Sequence, residues 1–443
     1  MVAPGGNFGS CRYKNCVQGA SLPKIPEKTE KIKKSKAGRT NIQQIMQRSN
    51  LPQLRTARFT TQRFIRRRLR FAQFAFLLAI FTNASLVHAE KVPFDLSQLK
   101  APEGFHISVF ADNIDSARML VFTPGGELLV SESGEGKVIA LRDPQHIGKA
   151  VQTVIVLSGL NEPHGMAFYE GKLYVAENDK VRRYDWDEAT LRATNPKTLA
   201  ALPDGGGHST RSIVFHAGKM YISAGSSCNV CIEKDPRRAT VMEFNPDGSG
   251  MKIFAKGLRN AVGIAVNPKT DTVWVTVNGR DWLGDDLPPE TIYDLGKDGG
   301  DGGWPYCYGD RVPDSNFTKP GDNRCQSVLE PKVQMQAHSA PLGLAFYEAS
   351  QFPTEYQNNI FVAFHGSWNR SIPTGYKVVR VKLDGKGQPV GGAQDFITGW
   401  LAPGETKKGR WMGRPVGIAF SADGTMYLSD DSSGVIYRIT YAK

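Results

Sequence analysis

The chain has 443 residues, 40% hydrophobic and 22% charged, which is ordinary for a globular protein able to bury a large core. Its formal net charge of +12 is not spread evenly: residues 1–89 hold 17 Lys and Arg against 2 Asp and Glu, leaving 38 basic and 41 acidic residues for positions 90–443. The part expected to fold is therefore close to neutral, and a nucleic-acid-binding role loses its electrostatic basis.

Along the chain, the first segment reads as a leader. Arg63, Arg66, Arg67, Arg68 and Arg70 form a positive n-region, FAQFAFLLAIF is a short apolar run, and SLVHA ends in a small-residue cleavage site at Ala89. The apolar run falls short of the roughly 20 residues that span a bilayer. The expectation is a cleaved signal peptide with no stable membrane span afterwards, and a periplasmic or secreted product. Residues 1–89 are set apart as this leader with a basic, aperiodic extension, for which Met1 and Met46 are alternative starts.

From residue 90 the pattern changes. A strand is predicted at 105–112 (FHISVFAD), followed by six hairpins, each with period-2 alternation around a Gly, Pro, Asn or Asp turn. They read MLVFTPGGELLVSES from Met119, HGMAFYEGKLYVAEN from His164, RSIVFHAGKMYISAG from Arg211, VGIAVNPKTDTVWVTVN from Val262, LGLAFYEAS…NNIFVAFHG from Leu342 and VGIAFSADGTMYLSD from Val416. The intervening segments supply further strands such as KVIALRD and KVVRVKLD. One four-stranded blade per copy predicts an all-β, six-bladed β-propeller over 90–443, closed by 105–112 beside GVIYRITY at 434–441.

Four cysteines lie in this part. Of the three possible pairings, Cys228–Cys231 and Cys307–Cys325 are the simplest in an oxidising compartment. CNVC is read as a structural disulfide, with a redox motif as the alternative; Ile232 stands where haem attachment would need a histidine.

In a propeller, loops at one end of the central channel converge, so polar residues that precede the inner strand or follow the second strand of each copy should meet. These positions carry His164, His208, Arg211, Arg259, Asn260, His365, Arg370 and Arg414. Guanidinium groups gathered at one mouth imply an anion between them, one with several carboxylates or a phosphate. His208, in PDGGGHSTR, is a candidate general base. The loop at 278–309 holds seven acidic residues among many glycines, a supply of hard oxygen ligands that suits Ca²⁺.

The segments LPDGGGHSTRSIVF…GKMYISAG, FAKGLRNAVGIAV, the acidic loop ending GGDGGWP, and GRPVGIAFSADGTMYLSD resemble, in this order, the soluble pyrroloquinoline quinone (PQQ)-dependent sugar dehydrogenases of the glucose/sorbosone dehydrogenase family. The closer likeness is to the sorbosone-dehydrogenase branch. The resemblance implies PQQ and Ca²⁺ as cofactors and a small-molecule sugar as substrate, with an electron acceptor it does not name. It implies His208 as general base, Arg259 and Asn260 beside the reactive quinone carbonyl, Arg414 on a PQQ carboxylate, and Arg370 in a further cationic role. It also implies Gly279 and Arg280 as carbonyl ligands of an active-site Ca²⁺ and Glu290 at a second calcium. His164 and His365 are expected to shape the sugar pocket. Met412 and Leu160 depart from the pattern of the glucose enzymes, which puts glucose in doubt as the substrate. The alternatives are a calcium-dependent hydrolase of the lactonase type and a non-catalytic binding propeller.

Overall fold

The computed structural model describes residues 92–442. The expected leader, cleavage site and basic extension lie outside the described residues. Six sheets, each of at least four strands, are arranged radially as a six-bladed β-propeller. A separate two-stranded ribbon, Cys307–Tyr308 with Val312–Pro313, lies in the long loop of blade 4.

Blade 1 spans Ala117–Phe122 to Gln152–Leu157, blade 2 Met166–Tyr169 to Arg192–Ala201, and blade 3 Ile213–His216 to Lys252–Lys256. Blade 4 runs from Ala261–Asn267 to Glu290–Asp294, and Val333–Met335 adds its outer strand after the acidic loop. Blade 5 spans Pro341–Phe346 to Gln394–Ile397. Blade 6 takes three strands from Pro415–Phe420 onward, and its outer strand, Phe105–Ala111, comes from the start of the domain. Phe105 pairs with Tyr441 and Ile107 with Ile439, so the ring is closed as the sequence predicted.

Six apolar cores hold the ring, one between each pair of neighbouring blades. Successive side chains of a strand point to opposite faces, so each middle strand feeds both neighbours. In blade 4 Val273 and Val275 pack toward blade 3, while Trp274 between them packs toward blade 5. In blade 2 Leu173 and Val175 face blade 1 and Tyr174 faces blade 3. This is why the second strands are buried along their length and read as nearly continuous apolar runs.

Near the axis the inner strands approach more closely than a side chain allows. A Cβ on Gly165 would sit 2.7 Å from the Arg211 carbonyl oxygen, and one on Gly263 would sit 2.7 Å from the Leu344 Cβ of the next blade. The Thr276 hydroxyl stitches the same contact: it accepts from Gly263 N (2.8 Å) and donates to the Leu342 carbonyl of blade 5 (3.0 Å). Ser212 makes the equivalent link from blade 3 to Val262 of blade 4 (2.5 Å), and Ser429 from blade 6 to Arg118 of blade 1 (2.5 Å). The strand ends that carry the polar residues are thereby fixed relative to one another.

Candidate active site

The loops entering the inner strands and leaving the second strands do converge, on a cavity of about 480 Å³. Among the residues lining it are Arg118, His208, Asn229, Arg259, Asn260, Gly279, Asp281, Glu290, His338, His365, Trp368 and Arg414. They come from blades 1, 3, 4, 5 and 6 and from the loops joining them.

His208 precedes the inner strand of blade 3. Its Nδ1 lies 2.8 Å from the Ser226 carbonyl oxygen, an acceptor only, so Nδ1 carries the proton and Nε2 is left with a free lone pair. Burial, reinforced by the charge of Arg259, lowers its pKa to about 4. The imidazole is therefore neutral at ordinary pH and fit to accept a proton.

The loop bearing His208 is held from behind by two buried arginines. Arg211 is fully buried and donates to the carbonyls of Pro203, His208 and Thr210. Arg238 donates to the carbonyls of Asp204, Gly205 and His208. Arg211, expected to bind an anion, is outside the cavity lining; its Nη groups turn to the loop and to Asn178 Oδ1, its Nε is buried without a partner, and burial lowers its pKa to about 10. Arg238 carries no sequence signal because it precedes the third strand of its blade, Thr240–Phe244, away from the repeated hairpin ends.

Arg259 and Asn260 stand side by side at the start of blade 4's inner strand. Arg259 is 6% exposed and donates through Nε to the Asn229 carbonyl (2.8 Å) and through Nη2 to Asn229 Oδ1 (2.9 Å) and Asp281 Oδ2 (3.1 Å). Asn260 Oδ1 is buried with no hydrogen-bond partner. An orphaned acceptor of this kind in a polar cavity marks the place of a ligand donor or a cation.

On the far side, Arg414 donates to the carbonyls of His365 (3.0 Å) and Gly366 (2.8 Å) and keeps further N–H groups for the cavity. His365 Nε2 donates to Asp431 Oδ1 (2.9 Å), whose other oxygen accepts from Arg118 (2.7 Å). Against the cost of burial, His365 and Arg118 hold Asp431 well below the usual carboxylate range. Burial lowers the pKa of His365 to about 4 despite that partner. Arg118 thus joins Arg259 and Arg414 as the third cation of the lining, unseen in sequence because it sits inside the first strand of its blade.

Glu290 is buried between two blades and accepts from Gly279 N (2.6 Å) and Ala340 N (3.2 Å). Burial raises its pKa to about 7. Gly279 lines the cavity; the Arg280 side chain makes a buried ion pair with Asp314, which does not engage the backbone carbonyl expected as a ligand. Asp281, Glu290 and Asn260 Oδ1 supply hard oxygens to one side of the cavity, a donor set that fits Ca²⁺ if carbonyls and the ligand's own oxygens complete it. Among the described residues, one His, Cys, Asp or Glu cluster is tight enough to hold an ion alone: Cys228, Cys231 and Glu233. Its cysteines are joined in a disulfide.

The remaining expected residues lie elsewhere. Arg370 donates to the Asp285 carbonyl and to Asp286 (2.9 Å), tying the loop after blade 5's second strand to the acidic loop. His164 is buried beside Ser212, with Nε2 unpartnered, next to a second polar pocket that shares Arg118 with the main cavity. Met412 and Leu160 are buried in inter-blade cores. The disulfides are Cys228–Cys231 and Cys307–Cys325, as expected.

A β-propeller with a neutral histidine, a buried amide oxygen and three arginines around one cavity offers a site of the class suited to a polyanionic cofactor or substrate. The model of the TrAA12-like family matches residues 99–290 and 306–442, and the chain belongs to that family. It is 27% identical over 421 residues to a pyrroloquinoline quinone-dependent pyranose dehydrogenase of Coprinopsis cinerea, covering 81% of this chain but 56% of that protein. The solved holo form of the PQQ domain of the Coprinopsis cinerea pyranose dehydrogenase is 24% identical, with a TM-score of 0.67 over 80% of this chain and 99% of that one. The calcium structure of a Trichoderma reesei carbohydrate-active enzyme of family AA12 is 23% identical, with a TM-score of 0.69 over 78% of this chain and 97% of that one. These matches do not separate a sorbosone-specific branch from the rest.

Proposed function

We propose that the chain is a PQQ- and Ca²⁺-dependent dehydrogenase that oxidises an aldose or a related sugar or sugar aldehyde, exported to the periplasm or beyond. The observation that carries this reading is His208: a neutral imidazole with its tautomer set by the Ser226 carbonyl, in the same cavity as Arg259 and Asn260. PQQ, when bound, supplies the hydride acceptor. Arg118, Arg259 and Arg414 would hold its carboxylates and quinone oxygens; the Gly279 and Arg280 carbonyls, with Asp281 and Asn260 beside them, would furnish oxygens for the active-site Ca²⁺, and Glu290 for a second calcium.

The chain's own part in the reaction is proton transfer and electrostatics. His208 Nε2 takes the proton of the hydroxyl being oxidised as its carbon gives up hydride, and Nδ1 stays bonded to the Ser226 carbonyl, which stabilises the imidazolium. Arg259, anchored on Asn229 and Asp281, offers its positive charge where oxyanion character develops, and is already in place before reaction. The sugar is read as entering past His365 and Trp368, with His164 in the adjoining pocket. The lactonase reading is weaker because the cavity's cation-binding carboxylates, Asp281 and Glu290, both come from blade 4, and the other blades contribute arginine and histidine.

Dye reduction by residues 90–443 over a panel of aldoses, with PQQ and Ca²⁺ each omitted in turn, tests the proposal. Turnover that requires both is the expected result. A chain that fails to bind PQQ by absorbance titration overturns it.

A further inference from the structure

Beside the cavity two tryptophans stand in solvent. Trp282 is 69% and Trp368 is 62% exposed, and their rings meet edge to face with centroids 6.5 Å apart. They belong to different blades: Trp282 follows the second strand of blade 4 and Trp368 the second strand of blade 5. Indoles are highly buried on average in folded proteins, so two exposed neighbouring indoles are a feature that folding alone does not explain.

The position of the pair is built. The two loops are cross-braced by Arg370, which donates to the Asp285 carbonyl and to Asp286, and by Ser371 N, which donates to Asp285 Oδ1 (3.0 Å). Asn229 pins the residue before Trp282 on both sides, accepting from Asp281 N (2.8 Å) and donating to its carbonyl (3.3 Å). Trp282 itself has φ = 68°, a left-handed backbone that a bulky side chain adopts at a cost and that persists only where its surroundings enforce it. Leu287 (45% exposed) and Ile372 (56% exposed) extend the apolar surface on the same two loops.

Trp368 lines the cavity itself, so this platform continues the cavity wall out onto the rim. We infer that Trp282 and Trp368 form an outer binding site for the sugar units that follow the reacting one, making an oligosaccharide rather than a free monosaccharide the preferred ligand. The inference rests on the sugar-oxidation reading. A cavity of about 480 Å³ that takes a cofactor and one reacting ring leaves any further rings at its mouth. There the C–H faces of pyranose rings match the faces of the indoles, and the exposed carboxylate of Asp286 can accept from ring hydroxyls. A bound protein would bury the same surface, and that occupant is separated by the test.

The experiment follows binding by isothermal calorimetry with cello- and malto-oligosaccharides of one to five units, on the chain loaded with Ca²⁺ and reduced PQQ, which fills the cavity without turning over the sugar, and on the chain alone. PQQ binding is measured separately by absorbance. Wild-type affinity should rise about tenfold from one unit to three or four in one of the two series. Trp282→Ala, outside the cavity lining, should remove most of that rise while leaving PQQ affinity and melting temperature unchanged; Trp282→Ala/Trp368→Ala should abolish it, and Trp282→Tyr/Trp368→Tyr should restore most of it. Affinity independent of length, or a length dependence that survives the double alanine substitution, overturns the inference and turns the surface toward a protein partner. Loss of PQQ binding with length-dependent sugar affinity retained overturns the catalytic reading and leaves the outer site standing.

Discussion

Asn229 grips Arg259 from both of its oxygens, the carbonyl on Nε at 2.8 Å and Oδ1 on Nη2 at 2.9 Å. The asparagine lies inside the four-residue ring closed by Cys228–Cys231, so a small covalent loop of blade 3 sets the plane of a guanidinium in blade 4. Asn229→Ala should leave a folded protein with kcat lowered roughly 10-fold or more, since a charged donor that must find its place during reaction stabilises less than one already fixed. Steady-state kinetics against the wild type decides it; an unchanged kcat would mean that Asp281 alone holds Arg259.

The two disulfides should fail differently. Cys307–Cys325 closes 18 residues of the long loop of blade 4, and Cys307→Ser/Cys325→Ser should cost about 2–4 kcal/mol in urea unfolding with little change in kcat. Cys228→Ser/Cys231→Ser should cost less stability and lower kcat in the manner of Asn229→Ala. Equal kinetic effects from both pairs would contradict the assignment.

His208→Ala should lower turnover by roughly 10²–10⁴-fold with PQQ affinity nearly unchanged. Loss of cofactor binding along with turnover would make His208 a structural residue.

Burial lowers the pKa of three imidazoles, His164, His208 and His365, and they outnumber Glu290, whose pKa is raised to about 7 and which acts in the opposite sense. His208 and His365 are lowered to about 4, against 6.5 in the unfolded chain. Between these values the unfolded state binds more protons than the folded one, so their contribution is full above about pH 6.5 and lost as pH falls toward 4. Melting temperature should accordingly fall through this window, and His365→Asn should make the fall shallower. A base with so low a pKa also predicts that the acid limb of kcat/KM, which reports the free enzyme, lies well below 6.5; a limb near 6.5 would assign the general base to another group.

Arg414→Met keeps much of the side chain's bulk and removes its charge. With one of three cavity cations gone, PQQ should bind roughly 10- to 100-fold more weakly, a change of 1.4–2.7 kcal/mol, while the disulfide loop and His208 are untouched. Absorbance titration reads it directly.

The local chemistry of this protein was legible in its sequence. Period-2 hairpins, turn residues and their sixfold recurrence specify the blades, because alternation and turn geometry depend on near neighbours in the chain. The closing strand at Phe105–Ala111 was legible too, since one unpaired strand at each end of a repeat array has one economical partner. His208, Arg259, Asn260 and Arg414 stand at repeated strand ends, and such positions converge in any propeller. The structure alone decided which charges face the axis. Arg211, before an inner strand, and Arg370, in the loop after a second strand, stand where convergence was expected, yet their Nη groups turn to the His208 loop and to the acidic loop. Arg118, Arg238 and Asn229 carry no motif, and their roles come from groups 30 to more than 300 residues away in the chain. Where a long side chain ends is fixed by which buried carbonyl or carboxylate it must satisfy, and those partners meet only when the ring has closed.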